Sequence, residues 1–180
     1  ELDDDNFYDQ LPDLIGVKGY IASWRSPGVD EKFLELMPDL EIVACAKGSV
    51  KGYVCDKAYQ KGIKVTSAHM ALAPSVAETT MMLTLMGLKL YKKQRLRMEK
   101  GIGRTPNPVG YELIDKKVGL VGYGRIARSY RKLLTSFDVD VMVYDPYLEA
   151  DEVEGEDIKL VSLDKLVTNS DIISLHAPGV

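Results

Sequence analysis

The chain has 180 residues, room for one large domain or two small ones. A hydrophobic share of 46% beside 28% charged residues is that of a folded soluble protein and excludes a disordered one. With 23 basic and 27 acidic residues the net charge is −4, which argues against a nucleic-acid partner, since that would call for a clustered basic face.

The acidic opening Glu1-Leu2-Asp3-Asp4-Asp5 lacks the apolar core of a secretory leader. Residues 19–25 are rich in β-formers and end at Ser26-Pro27-Gly28, which predicts a short strand closed by a turn. In 30–37, Phe33, Leu34 and Met37 recur at helical spacing behind Asp30, a capping residue. The apolar run 41–45 predicts a strand buried on both faces. A helix is expected over 53–61, stopped by Gly62, and a third strand over 63–67. This alternation implies parallel crossovers. Cys45 and Cys55 have no CxxC partner and no neighbouring histidine, so neither a metal site nor a disulfide framework is expected, and a reducing, cytoplasmic setting is. His69 is read as structural.

A long helix is predicted from Pro74-Ser75 to about residue 99. Val76, Leu83, Met86 and Leu90 fall on one face, with Met81, Met82, Leu85 and Leu88 widening it, so much of its first half should be buried. The longest apolar stretch, 81–88, is far short of the ~20 residues of a membrane span, and no membrane partner is expected. The basic run 89–100 reads as a solvated helix end that complements the helix dipole. Gly101 ends the helix, and the domain boundary is placed there: 1–100 as one portion with the helix as connector, 101–180 as the other.

The second portion predicts strand 117–121, helix 124–137, strand 139–144, a short strand 159–161, helix 163–169 capped by Ser162, and strand 172–176. At its first strand–helix junction stands Gly122-Tyr123-Gly124-Arg125-Ile126-Ala127, a GxGxxG/A pattern. Alone the pattern is weak; directly after an apolar strand and opening a helix it reads as a dinucleotide fingerprint. Gly122 permits the tight turn, Gly124 lets main chain approach a pyrophosphate, and Ala127 allows close helix–strand packing. The helix N-terminus, with about half a positive charge, faces the phosphates. Asp145 ends the next strand 21 residues after Gly124, where a carboxylate accepts from both ribose hydroxyls and repels a 2′-phosphate, favouring NAD over NADP. The alternative is that Asp145-Pro146 only starts a turn. Arg125 reads as a cofactor contact beside the phosphates. His176-Ala177-Pro178, at the end of the fourth strand, should line the cofactor crevice, with His176 a structural or cofactor-side residue and not an acid–base catalyst.

With these elements in order, the chain resembles the D-isomer-specific 2-hydroxyacid dehydrogenases. The matching stretches are KGIKVTSA (61–68), SVAETTMML (75–83), KKVGLVGYGRIARSYRKLL (116–134), VMVYDPY (141–147) and LVSLDKLVTNSDIISLHAP (160–178). The resemblance implies two doubly wound parallel-sheet domains, a flavodoxin-like substrate domain and a Rossmann NAD-binding domain, both incomplete here. It implies that Gly122, Gly124, Arg125, Ile126, Asp145 and Ala177 contact NAD, and that Lys47-Gly48-Ser49 offers main-chain amides to the substrate carboxylate. The family commonly has an arginine near Lys47, an asparagine near Gly52 and a helix-ending glycine at Asp138.

The family's catalytic arginine and histidine–glutamate pair are expected beyond Val180, so no catalytic residue is named, and the chain is read as a portion of a longer enzyme. The implied reaction is hydride transfer between nicotinamide and a D-2-hydroxy acid. Separately, a homodimer paired through the long helix is expected, with core packing inside one subunit as the alternative use of that helix. An NAD-binding, dimerising protein of corepressor type and an inactive scaffold are the competing readings.

Overall fold

The computed structural model describes residues 14–103 and 110–177. The chain divides between Leu72 and Ala73 into two units, each built on its own parallel sheet.

In the first unit β1 (Gly19–Ala22), β2 (Ile42–Cys45) and β3 (Lys64–Ser67) lie side by side in that order, with Gly19 opposite Ile42 and Ile42 opposite Lys64. Helices α1 (Glu31–Leu36) and α2 (Asp56–Gln60) make the crossovers. Asp30 caps α1 as expected, its carboxylate accepting from the Phe33 N–H at 2.7 Å. Gly62, at φ +75°, stops α2: its N–H and that of Ile63 turn back onto the carbonyls of Tyr59 and Ala58. Phe33, Leu34, Val43 and Ala58 form the centre of this core. The first strand is shorter than 19–25 because the Ser23 N–H turns onto the Ser26 hydroxyl at 2.8 Å, ending the extended run.

The helix expected over 75–99 is two helices, α3 (His69–Leu88) and α4 (Tyr91–Glu99). They part at Leu90, whose left-handed main chain (φ 50°, ψ 38°) cannot continue a helix. Pro74 lies inside α3 instead of opening it, because the Ala68 carbonyl already receives the N–H groups of Ala71 and Leu72 upstream.

The buried side of α3 also differs from the expected one. Val76, Leu83 and Met86 are exposed at 42%, 58% and 36%, whereas Ala73, Ala77 and Met81, four apart, are buried. Small residues allow close approach, and Ala77 and Met81 belong to the core of the second unit. The boundary therefore falls at 72/73 and not at 100/101: α3 is built into the second unit instead of merely joining two. By length and composition α3 is also long and apolar enough to cross a membrane, which the stretch 81–88 did not disclose; the Ala77 and Met81 side is committed to protein core. Helix α4 has no buried residue, as the solvated basic run led one to expect, and Gly101 at φ +68° ends it.

In the second unit β4 (Lys117–Val121), β5 (Asp140–Tyr144), β6 (Lys159–Leu160) and β7 (Ile172–Leu175) run parallel in the order β6-β5-β4-β7. Helices α5 (Arg125–Leu134) and α6 (Leu163–Asn169) are among the connections. Strand order runs outward from β4 to β6 and then resumes on the other side at β7. The sheet thus has its switch point between β4 and β7, where open α/β sheets bind ligands beyond the carboxyl ends. Val118, Leu120, Tyr130, Leu134 and Val143 fill the core. Asp138 holds the left-handed turn (φ 49°, ψ 65°) at the expected glycine-like position, one that aspartate tolerates.

Gly119 lies in β4 directly against α6: a Cβ there would stand 2.3 Å from Ser170 Oγ and 2.5 Å from Leu166 Cδ2. Gly119→Ala is expected to lower stability by about 1–3 kcal/mol through overpacking, read as a shifted urea midpoint; an unshifted midpoint would show that α6 can step back freely.

Candidate functional site

The carboxyl ends of β4 and β7 meet at the first glycine of the fingerprint. The His176 N–H donates to the Val121 carbonyl at 2.8 Å, and the Gly122 N–H donates to the Tyr144 carbonyl at 2.8 Å. Gly122 has φ +86°, and a Cβ on it would lie 2.8 Å from the Ala177 nitrogen and 3.0 Å from the His176 carbonyl carbon. Both the turn and the crowding therefore require glycine. Gly124 is the N-cap of α5 in extended conformation, with no side-chain cap, and a Cβ on it would meet nothing within 4 Å. So the first glycine is dictated by crowding inside the fold, while the second leaves open space before the helix N-terminus, as an approaching phosphate needs.

The Asp145 carboxylate turns onto this loop. Its Oδ2 accepts from the Tyr123 N–H at 2.8 Å and its Oδ1 from the Tyr147 N–H at 3.0 Å. A carboxylate offers about four lone-pair directions, so acceptor capacity remains for a sugar's hydroxyls. Asp145-Pro146 does start a turn, through the Tyr147 contact, and the same carboxylate is anchored to the glycine loop. The groups present fit a dinucleotide: an open helix N-terminus, a main chain bare of Cβ atoms, and an oriented carboxylate 21 residues beyond Gly124.

Arg125, the first residue of α5, is exposed, Ile126 is half-buried and Ala127 is fully buried against the sheet. The Tyr123 side chain is 2% exposed, because its ring completes the core beneath the loop and its hydroxyl donates to Glu156, which leaves only its main chain to the loop. The His176 ring is half-buried, 5.9 Å from the Tyr130 ring, with Nε2 2.9 Å from Ser174 Oγ. Burial lowers its pKa from the ordinary value. Ala177 is exposed next to Gly122, and Pro178 lies outside the described residues. Two residues not singled out from sequence join the site from below, Glu156 and Arg128, which pair at 2.6 Å. No local pattern marks them; Glu156 sits in an acidic loop that reads as solvated.

The first unit carries the other candidate set at the carboxyl end of β2. Gly48 and Ser49 are exposed, and the Ser49 hydroxyl accepts from the Lys51 N–H at 3.2 Å. Lys47 differs: it is 9% exposed and its ammonium lies 3.4 Å above the Tyr53 ring, whose hydroxyl donates to the Ser26 and Pro27 carbonyls. The Ala68 N–H bridges the carbonyls of Cys45 and Lys47. The loop is thus held from both sides while Gly48 faces solvent. His69, exposed at the start of α3, has its Nδ1 2.6 Å from Ser67 Oγ.

Residues 79–180 match the family model described as D-isomer specific 2-hydroxyacid dehydrogenase, NAD binding domain. The chain is 31% identical to a hydroxypyruvate reductase of Thermotoga maritima over 94% of its own length and 55% of that protein's. It is 28% identical to a D-3-phosphoglycerate dehydrogenase of Archaeoglobus fulgidus, over 83% of this chain and 28% of that one. Among solved structures, a D-lactate dehydrogenase from Aquifex aeolicus complexed with NAD and lactic acid superposes with a TM-score of 0.79 at 26% identity, covering 94% of this chain and 51% of that one. The chain spans about half the length, or less, of the relatives it matches.

The environment of His176 has a measurable consequence. Its pKa in the folded state lies below the ordinary 6.5, so between the two values the unfolded chain binds more protons. The stability tied to the neutral ring is complete above pH 6.5 and is lost as pH falls through the folded midpoint. An NMR titration should place the His176 midpoint below 6.5, and His176→Gln should lose less stability than wild type between pH 7 and pH 5. A midpoint at or above 6.5 would show the ring to be solvated.

Proposed function

Because the chain belongs to the D-isomer specific 2-hydroxyacid dehydrogenase family, we propose that the full-length protein is an NAD-dependent oxidoreductase acting between a D-2-hydroxy acid and its 2-keto form. The observation that carries this reading is the Asp145 carboxylate, held by the Tyr123 N–H at 2.8 Å beside the open N-terminus of α5. When bound, NAD supplies the hydride chemistry. The residues of this chain hold and orient it: the main chain from Gly122 to Ile126 receives the pyrophosphate, Arg125 stands beside it, Asp145 takes the ribose hydroxyls, and Ala177 borders the loop. The negative charge of Asp145 opposes a 2′-phosphate, which selects NAD over NADP.

Lys47-Gly48-Ser49 is the proposed cradle for the substrate carboxylate, with main-chain amides as donors. Neither histidine of the chain is placed as its acid–base: His176 packs against Tyr130 and His69 contacts Ser67. We assign the grip on the substrate carboxylate to an Arg, and proton transfer to a His–Glu pair, in the part of the family's length that this chain does not span. The exposed apolar residues of α3, Val76, Leu83 and Met86, are the proposed contact of a homodimer, and both cysteines are free, consistent with a cytoplasmic setting.

The deciding assay is NADH oxidation by the full-length protein with hydroxypyruvate, glyoxylate, pyruvate and 3-phosphohydroxypyruvate. Turnover with at least one is expected, and Asp145→Ala should raise the KM for NADH by about tenfold or more while weakening the preference over NADPH. Absence of turnover with every acid would sink the enzyme reading and leave a nucleotide-binding one.

A further inference from the structure

Glu156 lies in the loop between β5 and β6, 33 residues along the chain from Tyr123, yet both of its carboxylate oxygens are engaged beneath the glycine motif. Oε2 accepts from the Tyr123 hydroxyl, and Oε1 accepts from Arg128 Nη1 at 2.6 Å. The same guanidinium stands 4.6 Å from the centre of the Tyr123 ring, so the three side chains close a small cluster. Burial, and then the neighbouring carboxylate, push the Tyr123 phenol well above its usual pKa, so it stays a proton donor across the working range.

Tyr123 stands between the two glycines, the positions with the greatest main-chain freedom in the motif. Gly122 is fixed by His176 and Ala177, which follow β7, but Gly124 has open space around it. What fixes the peptide plane between them is the Tyr123 side chain below and its N–H above, which holds Asp145 Oδ2 at 2.8 Å. The path from Glu156 to Asp145 therefore runs through one residue: carboxylate to phenol, ring to main chain, N–H to carboxylate. Surface ion pairs contribute little, but Arg128 and Glu156 are both partly shielded and both meet the buried Tyr123, Glu156 through its hydroxyl and Arg128 over its ring, which makes the cluster a stiff support.

We propose that Glu156 is a positioning residue for the dinucleotide, clamping Tyr123 and Arg128 so that the main chain of 122–124 and the carboxylate of Asp145 are held ready for the pyrophosphate and ribose. It touches neither. The inference rests on the NAD reading above and adds to it a residue outside the fingerprint.

The test is NADH binding to the full-length protein, followed by fluorescence titration, for wild type, Glu156→Gln, Tyr123→Phe and the double variant. Each single change is expected to raise the dissociation constant about tenfold, with the double variant little worse than either. KM for NADH should rise far more than kcat at saturating NADH falls, and the preference for NADH over NADPH should narrow, because Asp145 loses its orientation. A cluster serving stability alone would lower the melting temperature and leave affinity and cofactor preference where they were, and that result overturns the proposal. Should Glu156→Gln fail to fold, Tyr123→Phe, which keeps the buried ring, decides by the same measure. Wild type without affinity for NADH would overturn the NAD reading itself; wild type with affinity, beside variants within about twofold of it, overturns only the role of Glu156.

Discussion

Where β4 and β7 deliver their carboxyl ends to the same place, there is room for a glycine and for nothing larger. The Gly122 Cα is so close to the main chain of 176–177 that a single added methyl would collide with backbone atoms that have no way to yield. This contact fixes the turn, the turn aims the next peptides at the start of α5, and α5 buries Ala127, Tyr130 and Leu134 against the sheet. The crevice at the switch point therefore follows from strand order. The sheet fixes where the turn begins, and the contacts of Tyr123 hold the peptides that follow it.

Much of this was legible in the sequence. The run 117–121 is a strand over the expected residues, since an apolar stretch next to a glycine turn admits few other readings. Asp30 and Ser162 cap their helices as their side-chain chemistry implies, and Gly62 and Gly101 take the left-handed turns that end others. The carboxylate at 145 is where the fingerprint's spacing puts it, and the main-chain partner it finds lies inside the fingerprint itself.

What was not legible involves contacts that periodicity cannot encode. Apolar residues occur all around α3, so a hydrophobic stripe could not identify its buried side; the small volumes of Ala73 and Ala77 decide it, and Thr84 adds a contact to the Tyr130 hydroxyl at 2.8 Å. Continuous helical periodicity also concealed the break at Leu90, where only main-chain angles separate one helix from two. Placing the domain boundary at residue 100 followed from reading α3 as a connector, whereas its burial makes it part of the second unit. Glu156 is the clearest case. Its partners lie on the other side of β5 in sequence, and a glutamate in an acidic loop looks like any other until the fold brings Tyr123 and Arg128 to it.

The ammonium of Lys47 has exchanged water for the face of Tyr53, and that choice of partner separates it from the chain's exposed pairs such as Lys18–Glu41. Dissolved ions weaken an attraction between two charges that both sit in solvent, but they have little access to a buried cation pressed onto a half-buried ring. The shape of the turn after β2 is therefore insulated from the ionic strength around it. As salt rises, that turn keeps its course even while the chain's outer charges are masked.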